Sequence, residues 1–182
     1  VLNAKELKNY AAEAKIAGVG GVFYPQDANI TPHRFVRGLS TYLEKKGVDI
    51  HESTEVLGCD VAARSVTRVK TTRGDFSADV VVIAGGVWSP EITRDLSINL
   101  PIQPAKGYCV TYKRPEICPS VPIGFAEAKM ILTPMENTMR FAGTLELAGL
   151  DLSINKRRVQ AILKNVPKYL HAMKPESLEL IE

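Results

Sequence analysis

Hydrophobic and polar positions follow several distinct patterns along this chain, and each pattern predicts a different element. Helix-forming residues without an internal breaker predict a helix over residues 1–17 that ends at Gly18. Thr31 followed by Pro32 is typical of a helix start, and an apolar residue at every fourth position continues this second helix to about Gly47. The first third of the chain is therefore expected to be largely helical.

Strands are predicted where β-branched and aromatic residues cluster or alternate. Short strands are expected at 22–24 and 48–50. Alternating residues from Thr54 to Thr71, a turn at 73–75 and a return through Phe76 into the run at 80–84 predict a hairpin. The continuous apolar run at 80–84 is typical of a strand buried on both faces, as found inside parallel sheets. This part of the chain therefore predicts an α/β arrangement around a sheet with at least one parallel pair.

After about residue 100, prolines separate shorter segments. Three strands and one helix are expected, at 107–112, 130–133, 139–144 and 156–165. The second and third strands face each other across a hairpin signal at 136–138. We therefore predict two parts: an α/β and helix-rich segment at 1–100, and an antiparallel sheet flanked by helices at 101–182.

Composition excludes several classes of function. The 182 residues are 45% hydrophobic and 24% charged, which is typical of a soluble globular chain with a substantial core. No apolar run approaches the ~20 residues that a membrane-spanning helix needs. The net charge is only +3, and the densest basic cluster, at 156–158, is expected to be a solvated helix end. A nucleic-acid partner is therefore not expected.

The cysteines and histidines do not predict a metal site. The three cysteines, at positions 59, 109 and 118, have no paired spacing, and the three histidines are scattered. We expect buried, reduced thiols in a cytoplasmic protein. No Ser-His-Asp set or pair of carboxylates is evident either, so the sequence predicts no catalytic residue and no metal.

The apolar run at 80–84 leads into the most suggestive turn in the chain. Gly85 and Gly86 allow a sharp turn and a close approach of the backbone to another surface. Ser89 and Pro90 then resemble the start of a short helix that runs to about Leu96. This arrangement can present backbone N–H groups to an anionic ligand, although a strand-to-helix turn without any ligand is the alternative.

Five segments together resemble one family. They are 20–25 with Asp27, the Thr31-Pro32 helix start, 84–89, 101–108 and 142–146. In their order and spacing they are similar to the D-amino acid dehydrogenase, glycine oxidase and sarcosine oxidase family of FAD-dependent amine oxidoreductases. The bacterial D-amino acid dehydrogenase branch is the most similar, and the resemblance covers essentially the whole chain.

The sequence also departs from this family at both ends. The family begins with a glycine-rich strand–turn–helix unit that holds the FAD pyrophosphate, and it ends with a segment that carries an arginine for the substrate carboxylate. Neither is found in this sequence. The resemblance therefore implies an interior fragment, with an incomplete FAD-binding part and much of the substrate domain. Such a fragment is expected to be inactive alone and to bind FAD poorly or not at all without the missing parts.

The resemblance places seven residues at the cofactor. They are Val56 at the adenine end, Ala84, Gly85, Gly86 and Trp88 beside the middle of FAD, and Lys106 and Gly107 where the chain passes the flavin ring. A lysine at the ring would stabilise the negative charge that develops at flavin N1 and the C2 carbonyl on reduction. The alternative for Lys106 is an ordinary surface lysine before a strand.

Three further residues are expected at the substrate by the same resemblance. Met130 and Leu145 correspond to cavity-lining positions, and the flexible thioether of Met130 would suit apolar side chains of varied shape. The alternative for Met130 is an ordinary core position on a strand. Tyr108 is a weaker candidate, as is Glu146, and an exposed position at the rim is the alternative for both.

The implied reaction is oxidation of a D-amino acid by hydride transfer to flavin, followed by hydrolysis to a 2-oxo acid and ammonia. Two alternatives stay open. One is another amine or 2-hydroxy acid oxidoreductase, such as a glycine or sarcosine oxidase. The other is a non-catalytic binding domain of the same fold. The resemblance allows oxygen or a membrane quinone as electron acceptor, and the expected location is the cytoplasm or the periphery of the inner membrane.

Overall fold

A computed structural model describes residues 1–10 and 12–181, which form two compact units. The first unit comprises Val1–Phe35, Ala105–Glu146 and Leu152–Glu182, and the second comprises Val36–Pro104 and Leu147–Asp151. Both units combine helices with antiparallel strands, so the mixed α/β class is confirmed. The division of the sequence near residue 100 stays a prediction.

The elements are numbered in chain order along the described residues. The strands are β1 (Leu2–Asn3), β2 (Gly20–Gly21), β3 (Val56–Ala62), β4 (Ser65–Thr71), β5 (Gly74–Phe76), β6 (Lys106–Lys113), β7 (Ile123–Phe125), β8 (Met130–Pro134) and β9 (Thr138–Glu146). The α-helices are α1 (Ala4–Lys8), α2 (Pro32–Glu44), α3 (Ser89–Thr93) and α4 (Lys156–Tyr169).

A four-stranded antiparallel sheet forms the centre of the first unit, with strand order β6–β9–β8–β7. The predicted strands correspond to β6, β8 and β9, and the predicted hairpin joins β8 to β9. The sequence did not reveal β7, because a strand of three residues is too short for an alternating pattern. The predicted antiparallel sheet flanked by a helix is thus confirmed.

One face of this sheet is buried beneath α4. Alternating side chains from the strands pack with the apolar side of the helix, and the fully or almost fully buried ones are Met130, Leu132, Met139, Phe141, Ile162, Val166, Leu170 and Met173. The predicted helix ends at residue 165, whereas α4 continues through Pro167 to Tyr169. It continues because Val166 and Leu170 belong to this core, and their burial outweighs the missing proline N–H near the helix end.

Gly143 is the point of closest backbone approach in this sheet. A β-carbon at Gly143 would lie 2.8 Å from the Lys129 carbonyl oxygen and 3.4 Å from the Met130 α-carbon. Backbone cannot move aside as a flexible side chain can, so we expect Gly143→Ala to destabilise the protein by about 1–3 kcal/mol in urea unfolding. Gly124→Ala is the matched control, because no atom lies within 4 Å of its added β-carbon. Equal stability of the two variants would contradict this prediction.

The second unit contains the three-stranded antiparallel sheet β3–β4–β5. The turn predicted at 73–75 corresponds to the short pairing of β4 with β5. The longer β3–β4 pairing, which turns between Ala62 and Ser65, was not predicted. Strand β3 contacts the segment after α3, where the Cys59 backbone N–H donates to Asp95 Oδ2 at 3.0 Å. Arg68 and Lys70 both bind the Asp60 carboxylate on this sheet. Within this unit, the hydrogen bond from the Cys59 backbone N–H to the Asp95 carboxylate therefore holds the helical segment against the sheet.

The helix predicted over 1–17 is much shorter in the structure. Helix α1 starts at a capping box formed by Asn3 and Glu6, and it ends at Lys8. Ala11 lies outside the described residues. A turn at 12–15 leads to Ile16, which is buried and forms an isolated bridge with Leu170. A continued helix would prevent this pairing. Burial has therefore overridden helix propensity here.

Three predicted strands are wrong, and so is the predicted parallel pairing. The segments 22–24, 48–50 and 80–84 have no strand assignment, and every pairing between the described strands is antiparallel. In the 80–84 segment, Val80 and Val82 are 77% and 82% exposed, so this run is not buried on both faces. A strand requires a neighbouring strand for its backbone hydrogen bonds, and composition alone does not supply one.

Candidate functional site

The face of the first unit's sheet opposite α4 is open and built from small side chains. On β6 and β9 the residues that alternate with core positions include Cys109 and Ala142, which are paired across the two strands. Gly124 on β7 and the half-exposed Ile131 on β8 extend the same surface and are also paired. These residues border a cavity of about 880 Å³, which we call the open-face cavity. Its size is in the range of small-molecule and cofactor sites.

Gly107 and Leu145 lie at one end of this cavity, where β6 and β9 pair with an irregular register. A β-carbon added at Gly107 would have no atom within 4 Å, and Leu145 is 62% exposed. Between the paired positions, Thr144 is a bulge residue with φ +56°, which is strained for a β-branched side chain. Its Oγ1 is buried and has no hydrogen-bond partner among the described residues. Strain and an unsatisfied hydroxyl at a cavity wall are typical of functional sites.

Two cationic side chains border the otherwise apolar cavity. Arg140, on β9, donates from Nε to Thr111 Oγ1 at 3.0 Å, and Lys129 precedes β8. Neither residue was identified from the sequence. Their positive charge favours a ligand that carries an anionic group.

A polar cluster holds the same end of the sheet against the start of α4. Glu146 Oε1 lies 3.4 Å from Lys106 Nζ, and Glu146 Oε2 pairs with Arg158 and accepts from the Tyr108 hydroxyl at 3.2 Å. Lys106 Nζ also donates to the Ser153 carbonyl oxygen at 2.8 Å. The alternative of an exposed rim position for Tyr108 and Glu146 is therefore wrong, since Tyr108 is 7% exposed and the Glu146 side chain 14%. Lys106 is an anchored, largely buried side chain.

The N-terminus of α4 belongs to this cluster. Asn155 caps the helix through a hydrogen bond from the Arg157 backbone N–H, and its own N–H donates to the Tyr108 hydroxyl. Arg158 donates to the Leu145 carbonyl oxygen at 3.1 Å as well as pairing with Glu146. The expectation of a merely solvated basic helix end at 156–158 is therefore wrong for Arg158. It joins the helix to the cavity wall.

Opposing effects act on the Glu146 carboxyl. Burial raises its pKa, but the Tyr108 hydrogen bond and the charges of Lys106 and Arg158 together outweigh burial. The net result is a pKa below the usual range of glutamate. The carboxyl is therefore ionised at neutral pH and lies between the Lys106 and Arg158 cations.

This lowered pKa predicts a pH dependence of stability. A carboxyl whose pKa falls on folding stabilises the folded state above its unfolded pKa, about 4.3 for glutamate, and the contribution is lost as pH falls through the lower folded value. We therefore expect wild type to be more stable than Glu146→Gln at neutral pH, with the difference shrinking in acid. Urea unfolding of both proteins from neutral to acid pH measures this difference in stability. Asp60, whose pKa is lowered by hydrogen bonds from Lys70 and Arg68, titrates equally in both proteins.

A stability difference that grows in acid, or stays constant, would contradict this assignment of the Glu146 charge. Lys113 and Glu179 form a well-exposed ion pair at the other end of β6, so Glu179→Gln is the matched control. An exposed pair contributes little to stability, and we expect the control to behave nearly as wild type.

The glycine turn of the second unit forms a 3₁₀ turn over Gly86–Trp88, followed directly by α3. Gly86 has φ +55°, which favours glycine, and no atom lies within 4 Å of an added β-carbon. Gly85 is more enclosed, with Ser89 Oγ at 3.4 Å from the corresponding position. The residue before the turn, Ala84, is exposed. The backbone at Gly86 is thus accessible within this unit.

Val56 and Trp88 border one groove of about 580 Å³ in the second unit, together with residues of β3 and α3. Trp88 is 51% exposed and Val56 38% exposed. Two of the predicted cofactor residues are therefore brought together here. Their role at the cofactor stays a prediction.

Four of the five predicted residues of the first unit converge, since Gly107, Tyr108, Met130 and Leu145 border the open-face cavity. Lys106 is not among the residues that border it and is held instead by Glu146 and the Ser153 carbonyl oxygen. The Met130 side chain, however, is 2% exposed and belongs to the core. Its neighbour Ile131 is 50% exposed on the open face and was not identified from the sequence. On β6 large and small residues alternate, and this signal could have separated core residues from cavity residues there. On β8 both Met130 and Ile131 are large, so residue size gives no such signal.

The cysteines do not all behave as expected. Cys59 and Cys118 are buried free thiols, and burial is the main cause that raises the pKa of each. Cys109 is exposed at the open face, which corrects the expectation that all three are buried. Over residues 1–10 and 12–181, no group of histidine, cysteine or acidic side chains is arranged to hold a metal ion. Within the same residues no helix is long and apolar enough to cross a membrane.

Comparison with known proteins defines the class. Residues 1–181 match the family described as DAO, FAD dependent oxidoreductase, and the chain belongs to this family. Among its relatives is a D-amino acid dehydrogenase from Paramagnetospirillum magneticum, which is 34% identical over 157 residues. The match covers 85% of this chain and 37% of that relative. A D-amino acid dehydrogenase from Helicobacter pylori strain J99 is 29% identical over 170 residues, which are 93% of this chain and 41% of the relative.

Solved structures show the same fold. Glycine oxidase from Bacillus cereus has a TM-score of 0.83 at 22% identity, with all of this chain and 49% of the oxidase covered. L-proline dehydrogenase from P. horikoshii has a TM-score of 0.84 at 19% identity and is 50% covered. This chain thus spans 37% to 41% of the length of these two sequence relatives and about half of the two solved structures.

Proposed function

We propose that the full-length protein containing this chain is an FAD-dependent enzyme that oxidises D-amino acids to 2-oxo acids and ammonia. The observation that carries the proposal is the open sheet face, with its small side chains and cationic border, in a chain of the FAD dependent oxidoreductase family. The names of the relatives support the substrate class. The activity is assigned to the full-length protein, and residues 1–182 alone are proposed to be inactive.

The open-face cavity fits a flat ring system. Gly107, Cys109 and Ala142 leave the backbone of β6 and β9 accessible, so a planar group can lie against the sheet. The unpartnered Thr144 hydroxyl is available as a hydrogen-bonding group at the cavity wall after a small local adjustment. We therefore propose that Lys106 and Gly107 lie beside the flavin ring.

The remainder of the cofactor is proposed to contact the second unit. Gly85 and Gly86 offer a bare backbone, and Val56 and Trp88 border a groove in the same unit. Ala84 precedes the turn and has a small, exposed side chain. These five residues are proposed to contact FAD along its adenine end and middle.

When bound, FAD supplies the two-electron acceptor that takes the α-hydrogen of the substrate as a hydride. The substrate nitrogen loses a proton, and water converts the resulting imine to a 2-oxo acid and ammonia. The chain orients the substrate against the sheet and excludes water through the apolar walls that include Ile131 and Leu145. The Lys106 ammonium is proposed to stabilise negative charge that develops nearby during the reaction.

The test uses the purified full-length protein. We expect a yellow protein that reduces an artificial electron acceptor when D-alanine or D-methionine is added, with no response to the L-enantiomers. A colourless protein without such turnover would contradict the proposal and would favour a non-catalytic binding domain of the same fold.

A second candidate function is a related amine oxidase. The similarity of the fold to glycine oxidase supports it, although likeness at 22% identity shows the fold alone. Turnover with glycine, sarcosine or 2-hydroxyglutarate that exceeds turnover with D-alanine would favour this alternative or a hydroxy acid oxidoreductase.

The electron acceptor is proposed to be a quinone, because the relatives are named dehydrogenases. A cytoplasmic location at the periphery of the inner membrane would suit this acceptor. Reduction of a soluble quinone analogue in preference to oxygen, measured by oxygen consumption beside quinone absorbance, tests this part.

A further inference from the structure

A second cavity in the first unit adjoins the open-face cavity and has no part in the proposed function. It measures about 660 Å³, and Gly124, Phe125 and Ala126 border both cavities. Both cavities therefore border β7. A ligand held at the open face would have to extend past Gly124 to reach this second space.

Aromatic rings line much of the second cavity, which we call the aromatic cavity. Tyr10 and Phe23 form one pair, with ring centroids 4.8 Å apart, and Phe125 and Tyr169 form another at 5.2 Å. Tyr24 also borders the space. Paired rings give the cavity apolar walls of defined shape, which favour apolar and aromatic ligand groups.

The other residues that border the aromatic cavity also favour apolar ligand groups. Val22, Phe23 and Tyr24 are 58%, 41% and 63% exposed, and such a contiguous exposed apolar stretch is typical of a binding surface. Glu127 is the only charged side chain among the described residues that border the cavity. An anionic group would therefore be repelled here, in contrast to the cationic border of the open-face cavity.

We propose that the aromatic cavity receives the side chain of the substrate, so that the enzyme prefers D-amino acids with large apolar or aromatic side chains. This inference rests on the proposed function, since it assumes that the reacting amino acid lies in the open-face cavity. Each methylene buried in an apolar cavity strengthens binding by about fourfold. The volume of the cavity exceeds what D-alanine can fill.

The experiment compares kcat/KM of the full-length holoenzyme for D-phenylalanine, D-leucine, D-alanine and D-glutamate with one artificial acceptor. We expect D-phenylalanine and D-leucine to exceed D-alanine by about 10-fold or more, and D-glutamate to be the poorest substrate. A preference for D-alanine or D-glutamate would overturn the assignment of the cavity.

Gly124→Leu tests whether the substrate extends past Gly124. No atom lies within 4 Å of an added β-carbon at Gly124, so the fold accommodates the side chain at a residue that borders both cavities. We expect the ratio of kcat/KM for D-phenylalanine to that for D-alanine to fall about 10-fold or more. Gly38→Leu is the matched control, since Gly38 is equally unobstructed, lies on α2 and borders neither cavity, and its ratio should match wild type.

Phe23→Ala is a second variant in case Gly124→Leu does not fold. It removes one wall of the aromatic cavity, so the ratio of kcat/KM for D-phenylalanine to that for D-alanine should fall. An unchanged ratio in the folded variants would overturn the inference while leaving the proposed function intact. Absence of turnover with every D-amino acid would overturn both.

Discussion

Phe141→Ala should lower the free energy of unfolding of the first unit by about 3–5 kcal/mol. Phe141 is fully buried in the centre of β9, where it pairs with Val110 and Leu132 on the flanking strands. Its ring also makes an edge contact with Tyr112, with centroids 6.2 Å apart. Truncation removes a large apolar surface and leaves a cavity that these neighbours cannot all collapse to fill.

Hydrogen exchange of the β8 and β9 amides measures this loss directly within the first unit. Leu145→Ala is the matched control on the same strand, because Leu145 is 62% exposed and its truncation opens no cavity. We expect the control to change stability by less than about 0.5 kcal/mol. Similar effects of the two variants would mean that Phe141 is not a core residue.

Gly107→Leu is expected to weaken FAD binding to the full-length protein by about 100-fold or more while leaving its folding intact. No atom lies within 4 Å of an added β-carbon at Gly107, so the new side chain meets no obstacle in the chain itself. It would instead occupy the end of the open-face cavity that we propose for the flavin ring. Flavin fluorescence titration of the apoprotein measures the affinity.

Gly107→Ala should show a smaller loss of affinity, because a methyl group intrudes less than an isobutyl group. The melting temperatures of the FAD-free variants should equal that of FAD-free wild type, which separates blocked binding from misfolding. Unchanged affinity in Gly107→Leu would show that the flavin ring does not lie at this end of the sheet.

The sequence predicted the antiparallel sheet of the first unit better than the elements around it. The β8–β9 hairpin was predictable because its alternation and its turn residues agree with each other. The segment at 80–84 was misjudged because an apolar run indicates burial without identifying the partner, and Val80 and Val82 are exposed. The early helix was overestimated because the burial of Ile16 depends on Leu170, which lies far along the chain.

The candidate site was only partly predictable, for similar reasons. Gly107 and Leu145 could be placed by resemblance, and both border the open-face cavity. The resemblance identified Met130 rather than Ile131. Neighbouring residues on a strand point to opposite faces, so Met130 lies in the core and Ile131 on the open face. The alternative of an exposed rim position for Glu146 could not be ruled out from the sequence, because its partner Arg158 on α4 is brought to it only by the packing of the helix.

The pairing of Ile16 with Leu170 has a consequence for the order in which the chain folds. The Ala17 backbone N–H also donates to the Tyr169 carbonyl oxygen at 2.8 Å, so the first unit closes a loop of more than 150 residues. During synthesis Ile16 and Ala17 lack these partners until the end of α4 has left the ribosome, whereas Val36–Pro104 is available for local pairing much earlier. Nascent chains stalled before α4 should therefore expose the segment around Ile16 to proteases and chaperones.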